Sequence, residues 1–281
     1  MDSLTLIRTF EIRSMKKIFI AVFGIGFAMH AVAQDAADKK IQAGVIINTG
    51  MSFQQMGTKI MEKNGVGSDF SIGANVNFSF TPNIGLCTGL EFDFSSMRYK
   101  AGSNPIYYRF DDTQILRKDE SLASSSLFRL EERTQKANYL TIPTMMLFRT
   151  NYIGYFRYFG KFGLRNSFLV SSKINDTGAL MAGNVEIGAA TEATNDNMKR
   201  NSELFFYKGA LGLAGGAEWN FAGSTCLVAE LGYYYGLTPL YYDWKEDKRS
   251  LYTYSASDNS RKYFSNAAKQ SQLMLKISIL F

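Results

Sequence analysis

Apolar and polar residues alternate along most of this chain. The cleanest stretch is FSIGANVNFSF, residues 70–80, where Phe70, Ile72, Ala74, Val76, Phe78 and Phe80 share one face and Ser71, Gly73, Asn75, Asn77 and Ser79 the other. A repeat of two residues marks a strand, whose side chains point to opposite faces in turn, whereas a helix repeats at 3.6. Residues 85–94 set Leu86, Leu90, Phe92 and Phe94 against Gly85, Gly89, Glu91 and Asp93. Residues 207–221 set Tyr207, Leu211, Leu213, Trp219 and Phe221 against Lys208, Gly212, Gly216 and Glu218, and 226–237 set Leu227, Leu231, Tyr233, Tyr235 and Leu237 against Glu230, Gly232 and Gly236. Weaker alternation runs through 41–50, 139–149 and 155–173. The last segment, SQLMLKISILF (271–281), places Leu273, Leu275, Ile277, Ile279 and Phe281 opposite Gln272, Lys276 and Ser278. Eight strands are thus predicted.

The connections alternate as well. Those at 81–83, 150–154 and 222–224 are short, and those at 51–68, 100–137, 175–203 and 239–268 are long. Short periplasmic turns and long external loops are the habit of outer-membrane barrels, and the pattern fits if the first strand runs outward. The apolar face decides the solvent. A soluble eight-stranded barrel turns large apolar side chains inward, but here the second face carries Gly, Ser, Asn, Lys and Glu, which suit a narrow membrane-barrel lumen. The predicted fold class is therefore all-β: an eight-stranded antiparallel up-and-down transmembrane β-barrel, its last strand paired with its first because an open edge in hydrocarbon is costly. Tyr155, Phe156, Tyr158, Trp219, Phe221, Tyr233, Tyr234 and Tyr235 are expected in interfacial girdles. Pro143 interrupts one strand and predicts a bulge.

Composition agrees: 22 Phe, 16 Tyr and 24 Gly stand against 4 Pro in 281 residues. The N-terminus adds an address. Lys16 and Lys17 precede the short apolar run IFIAVFGIGFAM (18–29) and the small residues AVA (31–33), which reads as an export signal cut after Ala33, with Met15 the expected start. Residues 1–33 are then a cleaved signal with its extension, and 34–281 the outer-membrane barrel domain. Cleavage removes Arg8, Arg13, Lys16 and Lys17 against Asp2 and Glu11, so the net charge of +6 falls to +4. It also removes His30, the single histidine, and with it Ser-His-Asp or Cys-His chemistry and imidazole metal ligands. No nucleic-acid partner is expected from so dispersed a charge.

Projecting the remaining charges inward gives Glu91, Asp93, Arg157, Lys161, Arg165, Lys208, Glu218, Glu230 and Lys276 as a lumen charge network. Buried charges require partners, and adjacency makes Lys276 the expected partner of Glu230. The network reads either as a satisfied polar interior or as a channel constriction. Cys87 and Cys226 fall on opposite walls, too far apart for a disulfide, and are expected as free thiols. The glycines of GALGLAGG (209–216) lie within a strand rather than in a nucleotide loop. No catalytic residue, cofactor or metal site is expected. The loops 100–137 and 239–268 mix aromatics with both charge signs, which suits partner contact or a solvated tip beyond a girdle.

The segments GLCTGLEFDFSSMRY (85–99), YLTIPTMMLFR (139–149), YFGKFGLRNSFLVSSK (158–173), GGAEWNFAGSTCLVAELGYYYGLTPL (215–240) and the final LMLKISILF resemble the PorT-like outer-membrane β-barrel family of the Bacteroidetes. Pro143 after YLTI is similar to a recurring pattern of that family. The resemblance implies a Gram-negative outer membrane and a link to protein secretion, and no catalytic residue is carried over from it. The expected function is that of a non-enzymatic outer-membrane barrel, structural or accessory, with loops that meet surface or secretion proteins. A narrow porin-like channel for small solutes is the alternative. Outer-membrane lipid is the expected surrounding, and Phe281 the residue offered to the barrel-insertion machinery.

Overall fold

In a computed structural model, which describes residues 40–118, 120, 124–199, 204–222 and 225–281, every alternating segment is a strand. The export signal expected at 1–33 lies outside the described residues. The strands are β1 (Ile41–Gln55), β2 (Met61–Lys63), β3 (Gly67–Ser79), β4 (Ile84–Ala101), β5 (Ile106–Asp111), β6 (Gln114–Ile115), β7 (Ser126–Arg149), β8 (Phe156–Met181), β9 (Ala190–Met198), β10 (Tyr207–Ala222), β11 (Thr225–Gly236), β12 (Tyr252–Ser255), β13 (Ser260–Tyr263) and β14 (Lys269–Leu280).

Eight of them close on themselves. β1 pairs with β3, β3 with β4, β4 with β7, β7 with β8, β8 with β10, β10 with β11, β11 with β14, and β14 returns to β1, each pair antiparallel. The seam runs from Gly44↔Leu280 to Gln55↔Lys269, and Phe281 adds a backbone bond from its N–H to the Ala43 carbonyl, 2.9 Å. Closure leaves the ring no unpaired edge, as a ring with an apolar exterior requires. That exterior is real: Ile47, Phe70, Phe162, Leu213, Leu231 and Ile277 are all exposed, while the alternate residues Asn48, Ser71, Arg165, Glu230 and Lys276 are buried.

Two expectations about the wall are corrected. β7 passes through Pro143 without a register shift, pairing Pro143↔Arg165 with β8 and holding Thr88↔Thr144 and Glu91↔Thr141 with β4. The missing N–H is absorbed by open rungs on the β4 side, so no extra residue is inserted. The bulges lie farther out, at Leu130/Glu132 and Asn138/Tyr139. Tyr234, expected in a girdle, faces inward and is buried, since it follows the parity of Glu230 and not that of Tyr233.

The long connections are also more structured than alternation predicts. β7 and β8 run on together past the ring as far as Phe128↔Leu180, flanked by β5, β12 and β13 on one side and β9 on the other. Tyr99, Tyr108, Phe128, Ile174, Tyr241 and Phe264 are among the residues of an apolar core at that end. Its members come from the ring strands and from the connections 56–66, 102–125, 182–206 and 237–268, so much of what a solvated tip would expose is buried over the ring.

Candidate functional site

The interior of the ring is built from the inward parity of each strand, and its charges form two clusters. In the first, the Arg165 guanidinium on β8 faces β4: one nitrogen lies 2.7 and 2.8 Å from the two Asp93 oxygens, and another 2.6 Å from Glu91, an ion pair without hydrogen-bond alignment. Lys276 on β14 reaches Glu91 at 3.3 Å, and the Asn48 amide on β1 donates to the same carboxylate at 3.1 Å. Lys161 pairs with Glu230 at 2.6 Å, and the Tyr234 hydroxyl donates to Glu230 at 3.4 Å. The Tyr234 ring lies 5.3 Å from the Arg165 guanidinium and 5.1 Å from the Lys276 ammonium, the range of a cation–π contact. Glu91, Lys161, Glu230 and Lys276 border a void of about 10 Å³, the lower limit for holding one water.

The second cluster lies at the end with short connections. Glu218 on β10 is clasped by Arg157 and by Arg149, the latter at 3.0 Å, and Arg149 also donates to Gln42 at 3.0 Å and to Ser79 at 3.1 Å. These contacts join β1, β3, β7, β8 and β10. Lys208 stands apart: its ammonium donates to Gln270 at 3.2 Å and lies 4.2 Å from the Tyr139 ring centre.

The structure therefore brings together Glu91, Asp93, Arg165 and Lys276, sets Lys161 with Glu230 beside them, places Arg157 with Glu218, and leaves Lys208 to an amide. The expected pairing of Glu230 with Lys276 is corrected. The two are opposite in register, but Lys276 turns to Glu91 and Lys161 crosses to Glu230. Register fixes where a lysine starts; its long side chain can then reach a carboxylate on another strand. Sequence reasoning missed Arg149 and Asp69, both buried. Parity could have found them, since Arg149 follows Thr141, Met145 and Leu147, and Asp69 precedes Ser71 and Asn75. Among the described residues Asp69 has no hydrogen-bond partner on either oxygen.

The Glu91 and Asp93 carboxylates are engaged by Arg165, with Lys276 and Asn48 on Glu91 and Thr141 on Asp93. Cys87 and Cys226 are both free and buried. Among the described residues no group of three or more Cys, His, Asp or Glu is placed to hold a metal ion. Outside the ring, Arg133 and Asp176 form a bidentate buried pair, both contacts 2.8 Å. Glu186 accepts from Arg261 at 2.6 Å and from the Tyr252 hydroxyl at 2.9 Å. Burial pushes the Glu186 carboxyl up, but those two hydrogen bonds outweigh it and hold the group below its ordinary value.

The model of the family described as outer membrane protein beta-barrel domain matches residues 32–242. No curated protein sequence matches significantly. Among solved structures, Ail of Yersinia pestis is 12% identical, with 86% of this chain and 100% of that chain covered and a TM-score of 0.34. OprG of Pseudomonas aeruginosa is 10% identical, covering 88% and 96%, with a TM-score of 0.42. The outer-membrane protease OmpT of Escherichia coli is 10% identical, covering 89% and 99%, with a TM-score of 0.33. No role or site is carried over from them.

Proposed function

The chain belongs to the outer membrane protein beta-barrel domain family, and on that premise we propose that its eight-stranded ring is the membrane-spanning barrel of a closed, non-enzymatic platform at the cell surface. The long connections face outward, the short ones face the periplasm, and the export signal ends at Ala33. The observation that carries this reading is the double closure of the lumen. Ion pairs cross it at two levels, and the apolar core of the connections lies over its outer end. A solute would have to break buried pairs and part an apolar core, which weighs against the narrow porin.

Closure leaves the outer sheet as the working part. Among the described residues β9 pairs with β8 and ends the sheet path. Just past its end Lys199 bonds to the β6 segment, its N–H donating to the Thr113 carbonyl at 2.8 Å and its carbonyl accepting from the Ile115 N–H at 2.9 Å, and the rest of the outer edge of β9 presents backbone donors and acceptors. Its sequence, ATEATNDNM, has neither the proline nor the lysine that commonly guard such an edge. An extended segment of a partner protein can add there as a further strand. The resemblance to PorT-like barrels favours a secreted or surface protein as that partner. β14 with Phe281 is the segment we assign to recognition by the insertion machinery.

Planar-bilayer recording of the full chain tests the closure, with no steady current expected; a steady unit conductance would favour the channel. Pull-down from native outer membrane tests the platform. Deleting 100–137 would remove β5, β6 and core residues with it, so Thr194→Pro on the open edge is the better probe. Partners retained by the native chain should be lost from this variant, and unchanged capture would sink the edge assignment.

A further inference from the structure

A row of outward-facing side chains crosses the wall just beyond the apolar belt. In register across five strands stand Met51, Ser68, Ser96, Lys136 and Lys173. One rung towards the short connections lie Phe70 and Phe94, stacked with centroids 6.3 Å apart, and Asn138. One rung the other way lies Arg98. Arg98, Lys136 and Lys173 are all exposed, and none makes an ion pair among the described residues. Lys100, by contrast, is matched by Glu62 at 3.4 Å. Lys136 and Lys173 are directly opposite each other on β7 and β8, an arrangement that costs stability unless an anion lies between them. A groove of about 440 Å³ opens beside Lys136, bordered also by Ser68, Asp69, Phe70, Phe94 and Asn138; the Asp69 side chain is buried on the inward face.

We propose that Arg98, Lys136 and Lys173 hold the phosphate of an outer-leaflet phosphorylated glycolipid, with an acyl chain lying over Phe70 and Phe94 in the groove. The proposal rests on the orientation given above. The depth is what selects the occupant: cations and hydroxyls sit one rung beyond aromatic rings, as phosphate sits directly above acyl chains. Serine and asparagine side chains supply donors to the remaining phosphate oxygens. A soluble anion would use the cations alone and leave the apolar part of the groove exposed.

The full chain, purified in detergent, is incubated with diphosphorylated lipid A or its dephosphorylated counterpart, and bound lipid is counted by native mass spectrometry. The phosphorylated form should be retained preferentially, by about tenfold for two or three charge contacts of this kind. Lys136→Gln with Lys173→Gln should abolish the preference, and Lys262→Gln, on β13, should not. Fold is checked by heat-dependent migration in gels. Should the double variant not fold, the native chain still decides, because ionic strength of about 1 M, with a screening length of about 3 Å, must remove the preference. Equal retention of both lipids, or a preference unchanged in the double variant or at high salt, overturns the proposal. So does competition by millimolar inorganic phosphate, which would mark a site for a free anion. Labelling of Ser103→Cys on intact cells reads the orientation separately. A periplasmic label would overturn the outer-leaflet assignment even with the phosphate preference intact.

Discussion

Replacing Arg165 with methionine tests whether the lumen charges act as a network or as separate buried polar groups. Arg165 is 1% exposed and sits between two carboxylates, at 2.6 Å from Glu91 and 2.7 Å from Asp93. Methionine fills much of its volume without the charge. Glu91 keeps Lys276 and Asn48, but Asp93 loses its ion-pair partner and keeps the Thr141 hydroxyl, with Lys208 acting on it only through space. Breaking a buried pair in this way costs about 3–5 kcal/mol. With a urea slope of about 1–3 kcal/mol per molar, the unfolding midpoint in detergent micelles should fall by about 2 M, read by circular dichroism and heat-dependent gel migration. Adding Asp93→Asn removes the orphaned charge and should restore more than half of the loss, because a pair replaced as a unit costs far less than one partner removed. Lys208→Met is the control. Its ammonium donates to an amide and lies on a ring face, with Asp69 and Asp93 acting on it only through space and no ion pair to break, so its loss should cost less than that of Arg165, about 1.5–3 kcal/mol. The network reading fails if Arg165→Met stays within about 1 kcal/mol of the native chain, if Asp93→Asn adds to the damage, or if Lys208→Met costs as much.

The Glu186 contact predicts acid sensitivity of the outer sheet. Its carboxyl is held below its ordinary value in the fold, so the stabilisation is fully present above the unfolded carboxyl value of about 4.3 and is lost as pH falls through the lower folded value. Hydrogen exchange at β12 and β13 should accelerate through that acid window in the native chain, and Glu186→Gln should flatten the pH dependence; an unchanged profile in the variant would assign the effect elsewhere. Cys87 and Cys226 should resist a maleimide in the folded protein and both react in urea, with reaction of either in the folded state contradicting their burial.

Parity along the strands made the ring legible, and the same parity accounts for what was misjudged within it. It assigns a side chain to a wall, and Glu91, Asp93, Arg157, Lys161, Arg165, Lys208, Glu218, Glu230 and Lys276, which share the inward parity, are buried. It would have assigned Arg149, Asp69 and Tyr234 equally well had the count been carried to the ends of β7 and β3 and trusted above the habit of placing tyrosine in a girdle. Parity does not say which cation a carboxylate takes. In a ring this narrow Lys161 and Lys276 both lie near Glu230, yet Lys161 pairs with it and Lys276 with Glu91. Glu218 with two arginines and Glu91 with Arg165, Lys276 and Asn48 are outcomes of a three-dimensional competition that no single strand records. The outer core was illegible for a different reason. Tyr108, Leu130, Met198, Leu240 and Phe264 come from segments too short or too irregular to show a period. Each is apolar for the sake of residues far away in sequence, and they make a core only when β7 and β8 have carried the sheet beyond the ring. The strands that read most clearly in the sequence thus form the part that closes the lumen. The segments that read least clearly form the surface on which the proposed partner acts, because a binding edge such as β9 requires unpaired backbone rather than a hydrophobic pattern.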